Sequence, residues 1–490
     1  MSRIVVIGGG ITGLVAAHRL RASAPDREVL LVEGSERCGG HVGSVREEGF
    51  VVEAGPNGFL ARASEPEPLA LVRELGLEGS LIEARDAARR RYVWRHKRLR
   101  VAPSSPLSLL STDALSPAGK LRLAAEPFVR SRSVAGESVH AFASRRLGRE
   151  VADALVDPAV SGISAGDSRE LEAAAAFPAL VEMERAHGSL LRAMMARKGM
   201  QPPQLVSLEG GMGVLTDALW RRLGSAVRLR SRVRWIGRAD GHWQVFLDSG
   251  ERVEAEAVVV ATSAAQASTL LSSLDSELAG ALSGFPQAGL AVVGMAFRES
   301  EMPRPLDGYG YLAAREAGLD TLGVVWESSL FAGRAPAGHV LLRAMLGGAR
   351  KPEVAELDAP ALLDRARREL ATVLGVRARP ARHWVWRWPN AITQYTRGHL
   401  DRVARARALL ARHPGLELCG TSYDGVSFTA AIGSAERAAA SVLVAPMVPA
   451  APGSPRWSSL TSALRRETLP DDPATAIAVN AIHSGSMPRS

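Results

Sequence analysis

Near its start the chain reads Gly8-Gly9-Gly10-Ile11-Thr12-Gly13, a G-x-G-x-x-G directly after the apolar run Ile4–Ile7. Gly8 permits a tight turn, Gly10 lets a pyrophosphate approach the backbone, and Gly13 lets the following helix pack closely on its strand. Unsatisfied N–H groups at the helix N-terminus would then face the phosphates. Glu33 closes the next apolar run, Val29–Glu33, 20 residues after Gly13, where an acid accepts hydrogen bonds from a ribose. This constellation predicts a dinucleotide site. Other chemistries find no support: there is no nucleophile elbow, no H-E-x-x-H pair and no cluster of metal ligands. Cys38 and Cys419 are the only cysteines, which excludes a disulfide scaffold and points to reduced thiols in a cytoplasmic protein.

The residues directly after Glu33 separate FAD from NAD. Glu33-Gly34-Ser35-Glu36-Arg37-Cys38-Gly39-Gly40-His41-Val42-Gly43-Ser44 resembles the E-x-x-x-R-x-G-G-R-x-x-S/T signature of the amine-oxidase-like flavoprotein superfamily, with His41 in place of the last basic arginine. In that superfamily the glycine doublet passes the FAD pyrophosphate and the arginine (here Arg37) supplies charge. Gly55-Pro56-Asn57-Gly58 resembles the G-P-x-G that runs beside the ribityl chain and flavin ring. Leu208 to Met212 resembles the stretch opening the second FAD segment, and Val233 falls where the adenine is contacted through backbone. Gly420 to Ser427 resembles the last flavin loop, in which Val426, Ser427 and Phe428 would face the flavin and the helix after it would stabilise negative charge on the reduced ring. Ser422 stands near where a covalent flavin would need a cysteine, so the resemblance implies noncovalent FAD.

Three further motifs narrow the resemblance. They are Asp157-Pro158-Ala159-Val160-Ser161-Gly162-Ile163-Ser164-Ala165-Gly166-Asp167, Ile392-Thr393-Gln394-Tyr395-Thr396-Arg397-Gly398-His399, and Tyr423-Asp424-Gly425-Val426. Together they resemble the protoporphyrinogen oxidase family, over residues 1 to about 447, with Thr393 replacing the usual proline. The resemblance implies six-electron oxidation of a porphyrinogen in three hydride transfers to FAD, which molecular oxygen reoxidises with release of hydrogen peroxide. The protein's part would be to orient the macrocycle.

By resemblance Arg91 takes a propionate, Gly162 and Ile163 line an apolar cavity, Gly310 and Leu312 meet one macrocycle face and Met345 the other. Trp388 falls beside the flavin. Each has a plainer reading: Arg91 as a solvated member of the basic run 89–100, Leu312 and Met345 as core, Trp388 as one of three core tryptophans with Trp384 and Trp386. Protoporphyrinogen IX and coproporphyrinogen III both remain open as substrates. An amine or carotenoid oxidase of the superfamily, and a noncatalytic flavin or porphyrin carrier, are the competing functions. A dimer is in keeping with the resemblance, and no interface is legible.

These groups must be positioned by an α/β fold. The apolar strand, helix and second strand at the N-terminus form a βαβ unit with parallel pairing. Strands return at Val227–Leu229, Trp243–Leu247, Val258–Ala261, 290–297 and 340–346, an amphipathic helix at 354–374, and strand, loop and helix at Glu417–Leu443. The expected architecture is a discontinuous Rossmann-type FAD domain (1–75, 207–270 and 413–447). A mixed-sheet substrate domain takes 76–94 and 271–412. Residues 95–203 form an alanine-rich helical insertion, broken at Pro158 and Pro178. The resemblance makes this insertion membrane-associating, with Leu107, Leu109 and Leu110 near Arg98, Arg100 and Lys120; the plainer reading is a lid. Residues 449–490, rich in Pro, Ser and Thr, read as a disordered tail.

The 490 residues are 46% hydrophobic and 23% charged, globular proportions that exclude wholesale disorder and suggest about two to four domains. No 18-residue apolar run occurs. Of 60 basic residues only four are lysine, leaving 56 arginines against 51 acids and a net charge of +9. Coding bias or an anionic partner would account for this. The arginines are scattered and no nucleic-acid motif appears, so nucleic acid is not an expected partner.

Overall fold

A computed structural model describes residues 2–62, 64–103, 108, 112–196 and 203–444. The tail expected beyond 449 and the leucines at 107, 109 and 110 lie outside the described residues.

The nucleus is a five-stranded parallel sheet drawn from three distant stretches of chain. In spatial order its strands are Val227–Arg228, Glu28–Val32, Arg3–Ile7, Ala257–Val260 and Leu416–Leu418. In register, Val5 lies between Leu30 and Val258. Both faces are covered, which is why these strands are continuous apolar runs. On one face Leu14, Val15 and Leu20 of the helix Ile11–Ser23 pack with Leu215, Leu219, Ile432 and Ala435 from Gly213–Leu223 and Phe428–Val444. On the other, Val5, Ile7 and Val258 meet Trp243, Leu271 and Val403.

A second, mixed sheet of seven strands stands beside it. Its order is Arg382–Thr393, Gln287–Arg298, His339–Gly347, Thr321–Trp326, Gly310–Ala313, Tyr92–Arg95 and Arg98–Val101. All neighbours are antiparallel except Gly310–Ala313 with Tyr92–Arg95. Leu362, Ala366 and Leu370 of the amphipathic helix Ala359–Leu374 cover one face against Phe297 and Leu342. The expected start of that helix at 354 is instead a 3-10 turn, Pro352–Glu356, and Asp358 caps the α-helix by accepting from the Ala361 N–H at 2.8 Å.

Between residues 117 and 196 the chain is helical. Pro178 opens a helix, Pro178–His187, as expected of a break. Pro158 does not break one. Helical backbone runs on from Arg149 to Ser164 through a π turn at Ala152–Val156 just before it. A proline inside a helix lacks an N–H and crowds the preceding turn, and a π turn widens the backbone at that place. Buried charge holds this region together. Arg146 and Glu126, 1% and 0% exposed, are paired, and Glu126 also accepts from the Leu190 N–H at 3.0 Å.

The helical region is tied to the seven-stranded sheet by Asp157, which is 2% exposed. Its carboxylate pairs with Arg315 and Arg350, both at 2.9 Å, and accepts from Ser168 at 2.5 Å. Burial pushes the Asp157 carboxyl up, but the Arg315 and Ser168 hydrogen bonds and the charges of both arginines outweigh it and hold the group below its ordinary value. Neutralising one partner of a buried pair leaves the other uncompensated. Asp157→Asn should therefore lower unfolding stability by about 3 kcal/mol, read from denaturant midpoints at pH 7; a loss within experimental error would show that the tie is not structural.

Candidate functional site

The glycine turn and its surroundings make a cradle. A Cβ on Gly13 would stand 1.8 Å from the Gly8 carbonyl oxygen, so the helix can lie this close to the strand end only with glycine there. The Gly39 N–H donates to the Gly9 carbonyl at 2.8 Å, and a Cβ on Gly40 would reach within 3.1 Å of Gly10 Cα, so the glycine doublet packs directly on the turn. In front of Gly10 the space is open: a Cβ there meets nothing within 4 Å. The helix Ile11–Ser23 begins there, with no side chain capping its N-terminus. Thr12 is buried in this first turn and Ile11 half-buried. Open space, free helical N–H groups and close backbone fit a pyrophosphate.

Glu33 holds the cradle's rim. Its carboxylate accepts from Gly9 N–H at 2.6 Å and from Ser35 N–H at 2.7 Å. A carboxylate offers about four acceptor sites, so capacity for ribose hydroxyls remains. Arg232 packs beside Gly34, and Val233, buried, comes next in the chain. Arg37 folds over its own loop, donating to the carbonyls of Cys38 at 3.1 Å and Gly40 at 2.8 Å. Ser44 is turned inward: its hydroxyl donates to Glu53 at 2.5 Å and accepts from Gly213 N–H at 2.8 Å. Burial pushes the Cys38 thiol up to about 12, so it stays protonated.

The Ala54–Asn57 segment is gripped by the seven-stranded sheet. Trp388 donates its indole N–H to the Ala54 carbonyl at 2.8 Å, and Arg343 donates to the Gly55 carbonyl at 2.6 Å. A Cβ on Gly55 would strike the His41 carbonyl at 2.0 Å. His41 stands edge-on to Trp388, their centroids 4.9 Å apart. Pro56 and Gly58 flank the buried Asn57. The three tryptophans of Arg382–Thr393 share a face but are only half-buried, and Trp384 donates to Glu47 at 3.0 Å. Trp384 and Trp386 pack on Phe50 and Val52 of the hairpin Ser44–Glu53, and Trp386 and Trp388 also pack on the buried cluster of Leu290, Val292 and Leu322.

The residues proposed for the macrocycle are placed less uniformly. Arg91 is exposed, its guanidinium 5.2 Å from the centre of the Tyr309 ring. Gly310, in the register opposite Val325, leads into Leu312. Leu312 Cδ2 lies 2.3 Å from where a Gly162 Cβ would be, so the room left by this glycine is occupied by leucine, where the sequence suggests room for the ring. Ile163 is 61% exposed and does not line an interior. Met345 is half-buried beside Val325 and Leu322.

The three narrowing motifs converge. Gln394 donates to the Ser164 carbonyl at 3.0 Å, and Glu172 N–H donates to the Tyr395 carbonyl at 2.8 Å. Thr393 and Ser422 hydroxyls are hydrogen-bonded at 3.1 Å, so Thr393, where the resemblance has proline, ties the strand end to the last loop. Tyr395 donates to the Thr421 carbonyl at 2.8 Å and accepts from Gly425 N–H at 2.6 Å, pinning the last loop. Val426 is half-buried there. Ser427 is exposed and its hydroxyl accepts from Ala430 N–H at 3.0 Å, capping the helix that Phe428 opens. Sequence reasoning missed Glu53, Glu327, Arg334 and Arg343, whose buried charges surround the Ala54–Asn57 segment. The signal was faint: isolated charges within otherwise apolar runs. Among the described residues no group of side chains could hold a metal ion.

Comparison with known proteins places this geometry. Residues 11–443 match the family of flavin containing amine oxidoreductases, and the chain belongs to that family. It is a flavin-dependent oxidoreductase. Human protoporphyrinogen oxidase (Homo sapiens) is 34% identical over 476 residues, covering 90% of this chain and 98% of that one. Coproporphyrinogen III oxidase of Bacillus subtilis is 29% identical over 465 residues, covering 90% and 97%. The crystal structure of an Exiguobacterium protein, provisionally named a protoporphyrinogen oxidase, superposes with a TM-score of 0.80 at 27% identity, covering 90% and 98%.

Gly13→Ala should give protein purified without the visible absorption of flavin, because the methyl group cannot be accommodated beside the Gly8 carbonyl; a normal flavin spectrum would refute the cradle. His399, 0% exposed and stacked on Tyr395 at 3.7 Å, is pushed down to about 4 by burial and the Arg402 charge. Protonation therefore favours the unfolded chain as pH falls from 6.5 toward 4, costing up to about 1.4 kcal/mol per pH unit. Stability of His399→Phe, which keeps the stack, should fall less than wild type between pH 7 and 5 in urea titrations.

Proposed function

We propose that this chain oxidises protoporphyrinogen IX to protoporphyrin IX in haem synthesis, with coproporphyrinogen III as the second reading. The observation that carries this is the convergence of Asp157–Asp167, Ile392–His399 and Tyr423–Val426, which are far apart in sequence and share hydrogen bonds in space. The names of the human and Bacillus relatives support the substrate class, one for each reading. The cradle and the Gly55–Gly58 segment would hold FAD without a covalent bond, and the cofactor would supply the hydride acceptor, with molecular oxygen as terminal acceptor and hydrogen peroxide as product.

The chain's own residues orient and enclose. Arg91, whose guanidinium stands over the Tyr309 ring, would offer it to a propionate. Leu312 and Met345 present apolar surface to the ring, and Leu312 must swing off Gly162 to admit it. The helical stretch would also meet a membrane surface from the cytoplasmic side. Leu121, Phe128, Val134 and Met195 are 60–78% exposed there, and Arg130, Arg132 and Arg192 line the recess beside Phe128. Among the described residues no helix is long and apolar enough to cross a membrane.

Purified protein given protoporphyrinogen IX in air should develop porphyrin fluorescence with about three peroxides per porphyrin, one for each two-electron step. Faster turnover of coproporphyrinogen III would favour the second reading. Flavin bands with turnover of neither would overturn both and point to an amine or carotenoid.

A further inference from the structure

Glu327 is completely buried, and so nearly is Arg343. Arg343 Nε donates to Glu327 Oε1 at 2.6 Å. The same oxygen accepts from Asn57 Nδ2 at 3.3 Å. Arg343 also donates to the Gly55 carbonyl two residues before Asn57, at 2.6 Å. The Asn57 side chain is also hydrogen-bonded to Tyr309, over whose ring Arg91 stands. Glu327, Asn57 and Tyr309 thus form a continuous polar path through an otherwise apolar region, from the buried pair to the arginine at the surface.

The chemistry of the carboxylate decides the amide's orientation. An ionised carboxylate only accepts hydrogen bonds, whereas a carboxamide both donates and accepts. Asn57 must therefore turn its NH2 toward Glu327 and its Oδ1 away. The Arg343 guanidinium, 2.6 Å from Glu327, supplies the opposite charge that a fully buried carboxylate needs. We propose that Glu327, with its charge held by Arg343, is a positioning residue that fixes the Asn57 amide so that Oδ1 faces the flavin and substrate side as a hydrogen-bond acceptor. The group it would accept from is an N–H of a pyrrolic ring. This rests on the reading that Gly55–Gly58 runs beside the flavin and that the substrate is a porphyrinogen.

Glu327→Gln tests it, because glutamine presents either face to Asn57 and frees the amide to flip. In the purified holoenzyme the flavin absorption bands should move as they do in Asn57→Ala. The rate of flavin reduction by anaerobic protoporphyrinogen IX should fall about tenfold, the factor carried by one hydrogen bond of this kind, with KM nearly unchanged. The double variant Glu327→Gln with Asn57→Ala should be no slower than Asn57→Ala alone, since Glu327 acts through Asn57. Should the lone Arg343 charge prevent folding, Glu327→Gln with Arg343→Gln removes both charges and gives the same readouts. Bands that coincide with wild type, or losses that multiply in the double variant, would overturn the proposal. A band shift in an enzyme whose wild type ignores porphyrinogens would overturn the substrate reading and support the role of Glu327.

Discussion

A charge taken out of water must be met by another, and this chain uses that requirement to join parts of itself that are far apart in sequence. Arg334 meets Glu53 at 3.2 Å, Arg343 meets Glu327, Arg146 meets Glu126, and Arg315 and Arg350 meet Asp157. Apolar packing could fill the same volumes, but it would not specify which segment lies against which. Arginine suits the task because its planar fork serves two or three acceptors at once. Part of the arginine excess is therefore structural, an explanation that neither coding bias nor an anionic partner includes.

Two of these pairs bracket residues 53 to 57. Glu53 anchors the segment's start to Arg334 and to Met212 N–H at 2.9 Å, and Glu327 with Arg343 anchors its end. The strand bearing Arg343 belongs to the seven-stranded sheet; the next strand carries Val325 and the one beyond it Leu312. The strands that carry the residues proposed for the macrocycle are thus tied to the segment that follows the glycine doublet. Reacting atoms need placement to within a fraction of an ångström, and loops alone seldom give it.

The phosphate turn, the parallel strands and the long apolar strands near 290 and 340 were legible because their signals are local. A glycine spacing or an apolar run reports the backbone around itself. The continuous helix through Pro158 was not, since its π turn has no compositional mark. Nor was the occupation of the Gly162 gap by Leu312, a contact between residues 150 positions apart. Resemblance proposed which residues form the site, but it said nothing of their partners. Ser44 and Ser427 illustrate this: the resemblance turns each toward the cofactor, and each directs its hydroxyl to a partner inside the protein.

The parallel sheet has a consequence for the order in which the molecule can be made. Its edge strand, Leu416–Leu418, pairs with Ala257–Val260, which in turn pairs with Arg3–Ile7. A ribosome adding roughly 5–20 residues each second exposes the phosphate turn on the order of 20–80 seconds before that last strand. Until that strand is made Ala257–Val260 has an unfilled edge, and the sheet lacks the helix Phe428–Val444 that covers one of its faces. Until almost all of the chain has been translated, that edge and that face are open to pairing with neighbouring chains.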